Sequence, residues 1–203
     1  MQENLIKKIS EEKIYPIIRS SDAQSAIDTA NALIEGGIKI LEINIENNSL
    51  YQAIHEVSRS AVVSAGGIIT GQQALKALDA GAEIISSPIF QMNMVKISKD
   101  KEIPLIACAS TANEAYNAWK TRVPLIKIFP AKALGGLLYI EDLLRPMSFL
   151  NIMPSGNISL DEVPAYIKAG AAAVGVGRSF YENSSYAEIT QKAKKVIKIL
   201  KDL

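Results

Sequence analysis

The sequence predicts an α/β fold, a small (β/α)8 TIM barrel with an extra N-terminal helix, and three observations support this. Short apolar runs alternate with longer amphipathic stretches along the whole chain. The apolar runs begin at intervals of roughly 21 to 26 residues, the length of one strand, one helix and two short loops. Glycine follows several of the amphipathic stretches directly. We interpret residues 1–203 as a single domain of this kind.

The elements follow in order from these patterns. The amphipathic segment at residues 4–12 predicts the extra N-terminal helix, and each later amphipathic stretch predicts the helix of one βα unit. The apolar runs predict eight strands, at residues 14–19, 39–45, 62–68, 83–89, 104–110, 125–130, 151–157 and 172–179.

Three junctions between a predicted helix and the next strand share a glycine, at Gly37, Gly81 and Gly170. Glycine readily adopts the left-handed conformation that ends many helices. No linker, low-complexity tract or shift in composition marks a second domain. A doubly wound open sheet is the main alternative, but it needs a mixed strand order and usually fewer strands, so eight evenly spaced units favour a closed barrel.

Composition excludes several classes of function. A net charge of +1 without a basic block gives no sign of nucleic-acid or anionic-membrane binding. No apolar run approaches the roughly 20 residues that span a bilayer, and the N-terminus lacks the apolar core of a signal peptide. The single cysteine, Cys108, excludes an intramolecular disulfide and suggests a cytoplasmic protein. The single histidine, His55, excludes a metal site built from several histidines.

The alternation of side chains along a strand assigns two charged residues to the barrel interior. In the second predicted strand every other side chain is apolar and must face the helices, which turns Glu42 and Asn44 inward. In the sixth, Ile126 and Ile128 mark the side that faces the helices, so Lys127 points inward. A carboxylate and an amine are therefore expected together near the C-terminal mouth, where barrel enzymes keep their active sites.

Lys127 is the strongest candidate for chemistry. Burying an ammonium group among apolar side chains is costly unless something offsets it. A buried amine tends to lose its proton, and a neutral amine can attack a carbonyl carbon to form a Schiff base. The alternative is a structural lysine that is paired with a carboxylate or that extends to the surface. The expected position of Glu42 in the same mouth favours the catalytic interpretation.

Glycine-containing loops after the seventh and eighth strands predict an anion site. Loops at these two places form the common phosphate site of TIM barrels. Glycine lets backbone N–H groups approach an anion, Ser155 and Ser179 can add hydroxyl donors, and Arg178 can add charge. The alternative interpretation of such a Gly-x-Gly pattern is a tight turn without a ligand.

Taken in order, these motifs resemble those of the 2-keto-3-deoxy-6-phosphogluconate/4-hydroxy-2-oxoglutarate (KDPG/KHG) aldolases, class I aldolases with a small (β/α)8 fold. The resemblance covers nearly the whole chain, and the Lys-Ile-Phe-Pro-Ala segment at residues 127–131 is its most specific part. The other segments that carry it are Tyr-Pro-Ile-Ile-Arg at 15–19, Gly-Gly-Ile at 36–38, Leu-Glu-Ile at 41–43, Ser-Ala-Gly at 64–66, Ser-Pro at 87–88, Ser-Thr at 110–111 with Glu114, Pro-Ser-Gly at 154–156 and Gly-Val-Gly-Arg-Ser at 175–179.

The resemblance implies a metal-independent aldolase without a cofactor, in which Lys127 forms the Schiff base and Glu42 is the general acid and base. Its substrate would be a 2-keto-3-deoxy-6-phospho sugar acid or 4-hydroxy-2-oxoglutarate, cleaved to pyruvate and an aldehyde. A homotrimer would be the usual assembly. Substrate contacts are expected from Arg19, Gly66, Gly67, Phe129, Pro130 and Ser155, and phosphate contacts from Gly156, Asn157, Gly177, Arg178 and Ser179.

Several positions depart from the family pattern. Glu46 stands where many members carry an arginine, Gly67 replaces a threonine, and Asn157 replaces the second glycine of the phosphate loop. We expect Arg19 to take a larger share of carboxylate binding and Glu46 to turn away from the pocket. Cys108 stands at a glycine position of the family and is interpreted as a packing residue.

Two further functions stay open from the sequence. One is a sugar-phosphate epimerase or isomerase on the same barrel, in which the lysine and the glutamate exchange protons without an imine. The other is a non-catalytic phospho-ligand binder, which the three departures at Glu46, Gly67 and Asn157 would favour.

Overall fold

The computed structural model describes residues 2–203 and contains one eight-stranded parallel sheet with helices outside it. The strands are β1 (Ile14–Ile18), β2 (Ile40–Asn44), β3 (Val62–Gly66), β4 (Ile84–Ser87), β5 (Leu105–Ala109), β6 (Leu125–Ile128), β7 (Ile152–Pro154) and β8 (Val174–Val176). The helices are α1 (Gln2–Glu12), α2 (Ala23–Glu35), α3 (Leu50–Val57), α4 (Gly71–Asp79), α5 (Met92–Asp100), α6 (Ala112–Lys120), α7 (Leu137–Leu144), α8 (Val163–Lys168), α9 (Arg178–Tyr181) and α10 (Tyr186–Lys201).

The sheet curls into a nearly closed barrel. Strands β1 to β7 each pair with their neighbours in the sequence, and β8 returns to pair with β1. A parallel bridge between Ser155 and Gly175, together with a hydrogen bond from Ala172 N to Ile152 O at 2.9 Å, spans the remaining seam between β7 and β8. The predicted (β/α)8 fold is therefore confirmed.

Two apolar clusters show which way the strand side chains face. The inner cluster joins residues near the strand starts, such as Ile40 and Leu125, to Ile9 of α1, so the predicted N-terminal helix is present and covers the lower end of the barrel interior. The outer cluster contains Ile43 and Ile126 and lies between the strands and the helices. The alternation inferred from the sequence is confirmed for β2 and β6.

The strands are shorter than the sequence suggested. The sixth was expected to reach residue 130, but β6 ends at Ile128, two residues before Pro130, which has no N–H to donate to a ladder. The eighth was expected to reach residue 179, but β8 ends at Val176, and Ser179 lies in the short helix α9. Because both strands end early, residues 129–130 and 177–179 lie outside the sheet, at the mouth of the barrel.

The three junction glycines adopt the expected left-handed backbone. Their φ angles are 101° at Gly37, 103° at Gly81 and 102° at Gly170. A side chain would be strained at such angles, so glycine at these positions lets each helix end and the next strand begin at once. No helix within residues 2–203 combines the length and the apolar character that crossing a membrane requires.

Candidate active site

Three side chains from different strands meet inside the upper part of the barrel. Lys127 of β6 donates a hydrogen bond from Nζ to Glu42 Oε2 of β2 at 2.6 Å and another to Ser86 Oγ of β4 at 2.9 Å. The side chains of the ion pair are 8% and 2% exposed. Removing one partner of so buried a pair would leave an uncompensated charge inside the barrel.

Gly66 of β3 leaves the space that Glu42 occupies. A Cβ atom at Gly66 would overlap Glu42 Oε1 and also Asn44 Oδ1. The glycine was expected to contact substrate, but it lies behind Glu42 and does not line the cavity described below. Its conformational freedom is not needed here; the small size of glycine is what lets the carboxylate lie against the strand.

Further polar groups surround Glu42, and of these sequence reasoning had placed only Asn44 inward. Tyr15 and Ser64 are the other two, and the polar atoms of all three side chains are buried. Burial, and next the negative charge of Glu42, raise the pKa of Tyr15 well above its usual value, so its phenol stays protonated. A hydroxyl at an inward position of an otherwise apolar strand was the signal that could have identified Tyr15 from the sequence.

Cys108 of β5 pairs in register with Lys127 and lines the same cavity. Burial raises the pKa of its thiol to about 11, although the positive charge of Lys127 lowers it in part. Because the thiolate is the nucleophilic form, this shift disfavours Cys108 as a nucleophile at neutral pH. This agrees with its interpretation as a packing residue.

A cavity of about 410 Å³ opens above the ion pair. It is bounded by the carboxyl ends of the strands and by the loops that follow them, as in other TIM barrels. The predicted site residues that line it are Arg19, Glu42, Gly67, Lys127, Phe129, Ser155, Gly156, Asn157, Gly177, Arg178 and Ser179. Lining residues that the sequence did not single out as site residues include Asn44, Ser86, Tyr181 and Glu182.

Two residues of the loop after β7 have a positive φ angle, which few residue types adopt easily. Gly156 has φ +110°, and a Cβ there would lie 2.9 Å from the Cα atom of Pro130. Pro130 thus supports this loop from behind and does not line the cavity. Asn157 has φ +59°, a left-handed conformation that asparagine tolerates better than most residues, so it can stand where the family has glycine.

The loop after β8 completes this side of the cavity. Arg178 Nη2 donates to Asn157 Oδ1 at 3.4 Å, and both residues line the cavity. Ser179 Oγ donates to the carbonyl of Ile158 at 3.3 Å, which ties the two loops together. Glycine-containing loops, two serines and an arginine therefore line the same side of the cavity.

Arg19 and Glu46 form an ion pair at the rim of the cavity. Arg19 Nη1 lies 3.0 Å from Glu46 Oε1, with side chains 55% and 42% exposed, and the backbone N–H of Arg19 donates to Tyr181 Oη at 3.2 Å. Arg19 lines the cavity and Glu46 does not. Glu46 was expected to turn away, but it stays at the rim, where its carboxylate holds the guanidinium that was expected to bind substrate.

Comparison with known proteins identifies the family. Residues 5–198 match the family described as "KDPG and KHG aldolase". The chain belongs to this family. This KDPG/KHG aldolase-family chain is 27% identical over 207 residues to a 2-dehydro-3-deoxy-phosphogluconate aldolase of Haemophilus influenzae, with 98% of each chain covered. It is 28% identical over 193 residues to the KHG/KDPG aldolase of Escherichia coli K12, covering 91% and 90%.

Solved structures of the family share the fold. A KDPG aldolase of Zymomonas mobilis superposes with a TM-score of 0.86 at 22% identity, covering 97% of this chain and 96% of the other. A KDPG aldolase of Legionella pneumophila, solved with pyruvate captured as a covalent carbinolamine, gives 0.86 at 24% identity, covering 97% and 98%. The family inferred from the sequence is thus confirmed, and with it an aldolase reaction at the level of the family.

No cluster of three or more His, Cys, Asp or Glu side chains suited to a metal ion occurs in the part of the chain that the structure describes.

Proposed function

We propose that the chain is a class I aldolase that cleaves a 2-keto-3-deoxy-6-phospho sugar acid or 4-hydroxy-2-oxoglutarate to pyruvate and an aldehyde. The observation that carries the proposal is the 2.6 Å contact between Lys127 Nζ and Glu42 Oε2 at the base of the 410 Å³ cavity. A nucleophile and a proton acceptor are then in direct contact where a substrate can enter.

The reaction begins with the ion pair. Glu42 accepts a proton from the Lys127 ammonium, and the neutral amine attacks the C2 ketone of the substrate. The carbinolamine loses water to give a protonated imine. Glu42, which has given its first proton to the departing water, accepts the proton of the C4 hydroxyl as the C3–C4 bond breaks, and the bonding electrons move into the imine to form an enamine. Glu42 returns that proton to C3, and hydrolysis of the imine releases pyruvate and the free lysine.

The cavity offers separate regions for the two ends of the substrate. The keto-acid carboxylate would lie towards Arg19 and Gly67, and Phe129 would cover the carbon chain. A phosphate would lie between the loops after β7 and β8, with backbone donors and Arg178 around it. Gly66 and Pro130 would then act from behind, by making room for Glu42 and supporting the loop at Gly156.

Borohydride reduction in the presence of pyruvate tests the mechanism. The wild-type chain should form a stable adduct at Lys127, and Lys127→Ala should form none and release no pyruvate. Lys132→Ala is the matched control because Lys132 is 47% exposed and paired with Glu162 at 3.0 Å. Glu42→Gln should still be trapped but turn over about 10²-fold more slowly or worse, the usual scale for acid–base catalysis.

The same assay separates the alternatives. An epimerase or isomerase would turn over without a trapped adduct. A non-catalytic binder would be stabilised against heat by a phosphorylated keto acid without releasing pyruvate. An adduct that maps to another lysine would refute the assignment of Lys127.

The remaining parts of the proposal are a cytoplasmic location, independence from metals and cofactors, and a homotrimeric assembly with small-molecule partners only. The single, buried cysteine supports the first. The family resemblance supports the others. Light scattering would test the assembly, since three chains of 22.0 kDa give about 66 kDa.

A further inference from the structure

Lys127 has a second hydrogen-bond partner that the reaction outlined above leaves unused. Ser86 is the third residue of β4 and is 1% exposed. Its hydroxyl accepts from Lys127 Nζ at 2.9 Å and also lines the cavity. Ile84, two residues earlier on the same face of the strand, belongs to the apolar inner cluster. The hydroxyl therefore lies between the apolar lower part of the barrel interior and the Lys127–Glu42 ion pair.

The number of protons on the nitrogen changes during the reaction. An ammonium has three N–H donors and can serve both Glu42 and Ser86, whereas a protonated imine retains one. In the proposed reaction Glu42 must also move protons at the C4 hydroxyl and at C3. The carboxylate cannot stay on the nitrogen throughout, so the single imine N–H needs another acceptor at those steps.

We propose that Ser86 is a catalytic residue that accepts the hydrogen bond of the imine N–H while Glu42 serves the carbon chain. The inference rests on the proposed Schiff-base reaction and deepens it. A serine hydroxyl suits the task because it is neutral and a weak base. It stabilises the positive nitrogen without removing its proton, and so preserves the electron sink that bond cleavage requires. It also fixes the plane of the imine relative to Glu42.

The experiment compares imine formation with proton transfer at carbon. Pyruvate in D2O should exchange its methyl protons through the enamine, which nuclear magnetic resonance follows, and borohydride trapping reports the imine itself. Ser86→Ala removes the acceptor, and Ser86→Cys keeps the volume but offers a weak one. Ser87→Ala is the matched control, because Ser87 is an equally buried serine on the same strand that does not line the cavity.

At saturating pyruvate, both Ser86 variants should keep trapping within about threefold of wild type, because mass action still fills a less stable imine. They should lose about tenfold to a hundredfold in methyl exchange and in pyruvate release, the scale of one hydrogen bond to a charged group. Ser87→Ala should match wild type in all three measurements. Melting temperatures within a few degrees of wild type show which variants are folded, and one folded Ser86 variant is enough for the comparison.

Wild-type exchange rates in a folded Ser86 variant would overturn the inference. So would a loss of trapping as large as the loss of exchange, because Ser86 would then act on the attacking amine. A wild-type chain that cannot be trapped at all would refute the proposed function itself, which is a different result from either of these.

Discussion

At the scale of single residues, the strongest signals were charges at inward strand positions. Glu42 and Lys127 could be predicted because alternation leaves few ways to accommodate a charge between apolar neighbours. Ser86 could not, since serine is common in strands and its partner Lys127 lies 41 residues away in the sequence. Only the three-dimensional register of β4, β5 and β6 brings that hydroxyl to the amine.

The Arg19–Glu46 pair leads to the first prediction. Arg19→Ala should raise KM for pyruvate in the condensation direction by about tenfold or more, because losing roughly 1.4 kcal/mol of a charge-assisted contact costs that factor. Glu46→Gln should lower the same KM, since the guanidinium would no longer be shared. Arg59→Ala is the matched control: Arg59 pairs with Glu56 at 2.9 Å on another exposed surface. Initial-rate kinetics measure KM for each variant. An unchanged KM in Arg19→Ala would contradict the role of Arg19 in binding the keto-acid carboxylate.

At the scale of elements, the existence and order of strands and helices could be predicted, but their ends could not. Periodicity in the sequence indicates which side chains are buried. A strand, however, ends where its pairing with the neighbouring strand ends, as β6 does at Ile128, before Pro130. The first residues of three helices follow a sequence pattern that periodicity does not detect. Ser or Thr followed three residues later by Glu or Gln begins α4, α6 and α10, and each forms a capping box.

The second prediction concerns the cap of α6. Hydrogen bonds from the backbone N–H and the hydroxyl of Ser110 hold the pKa of Glu114 below its usual value. A carboxylate whose folded pKa is lowered contributes stability above its unfolded pKa of about 4.3 and loses it as the pH falls through the folded value. Glu114→Gln keeps a capping side chain but removes the titration. Its melting temperature should therefore fall short of wild type at pH 7 and match it near pH 3.

Thermal melts across this pH range check the prediction. Glu141→Gln serves as the control because Glu141 is an exposed glutamate in the interior of α7, away from any helix N-terminus. A constant difference between Glu114→Gln and wild type from pH 7 to pH 3 would show that the charge of Glu114 contributes nothing to the cap.

At the scale of the whole molecule, closure of the barrel brings residues from distant parts of the sequence to one cavity. Lys127 lies on β6 and the two loops proposed to bind phosphate follow β7 and β8, so the order of motifs along the sequence already predicted that they would meet. The helix α9 was not predicted, and it brings Tyr181 and Glu182 to the cavity. Residues after a strand carry no alternation, which is why sequence reasoning could not say which of them face inward.

The last prediction tests whether the cavity distinguishes phosphorylated from unphosphorylated substrates. Arg178 is a cavity cation on the far loop, so Arg178→Ala should raise KM for a 2-keto-3-deoxy-6-phospho sugar acid by about tenfold or more. KM for 4-hydroxy-2-oxoglutarate, which has no phosphate and ends in a C5 carboxylate, should change by less than about threefold because its shorter chain is not expected to reach Arg178. Arg145→Ala is the control, since Arg145 is 76% exposed and paired with Asp142. Equal increases for both substrates would mean that Arg178 binds the keto-acid part they share, and the phosphate would then have to lie elsewhere.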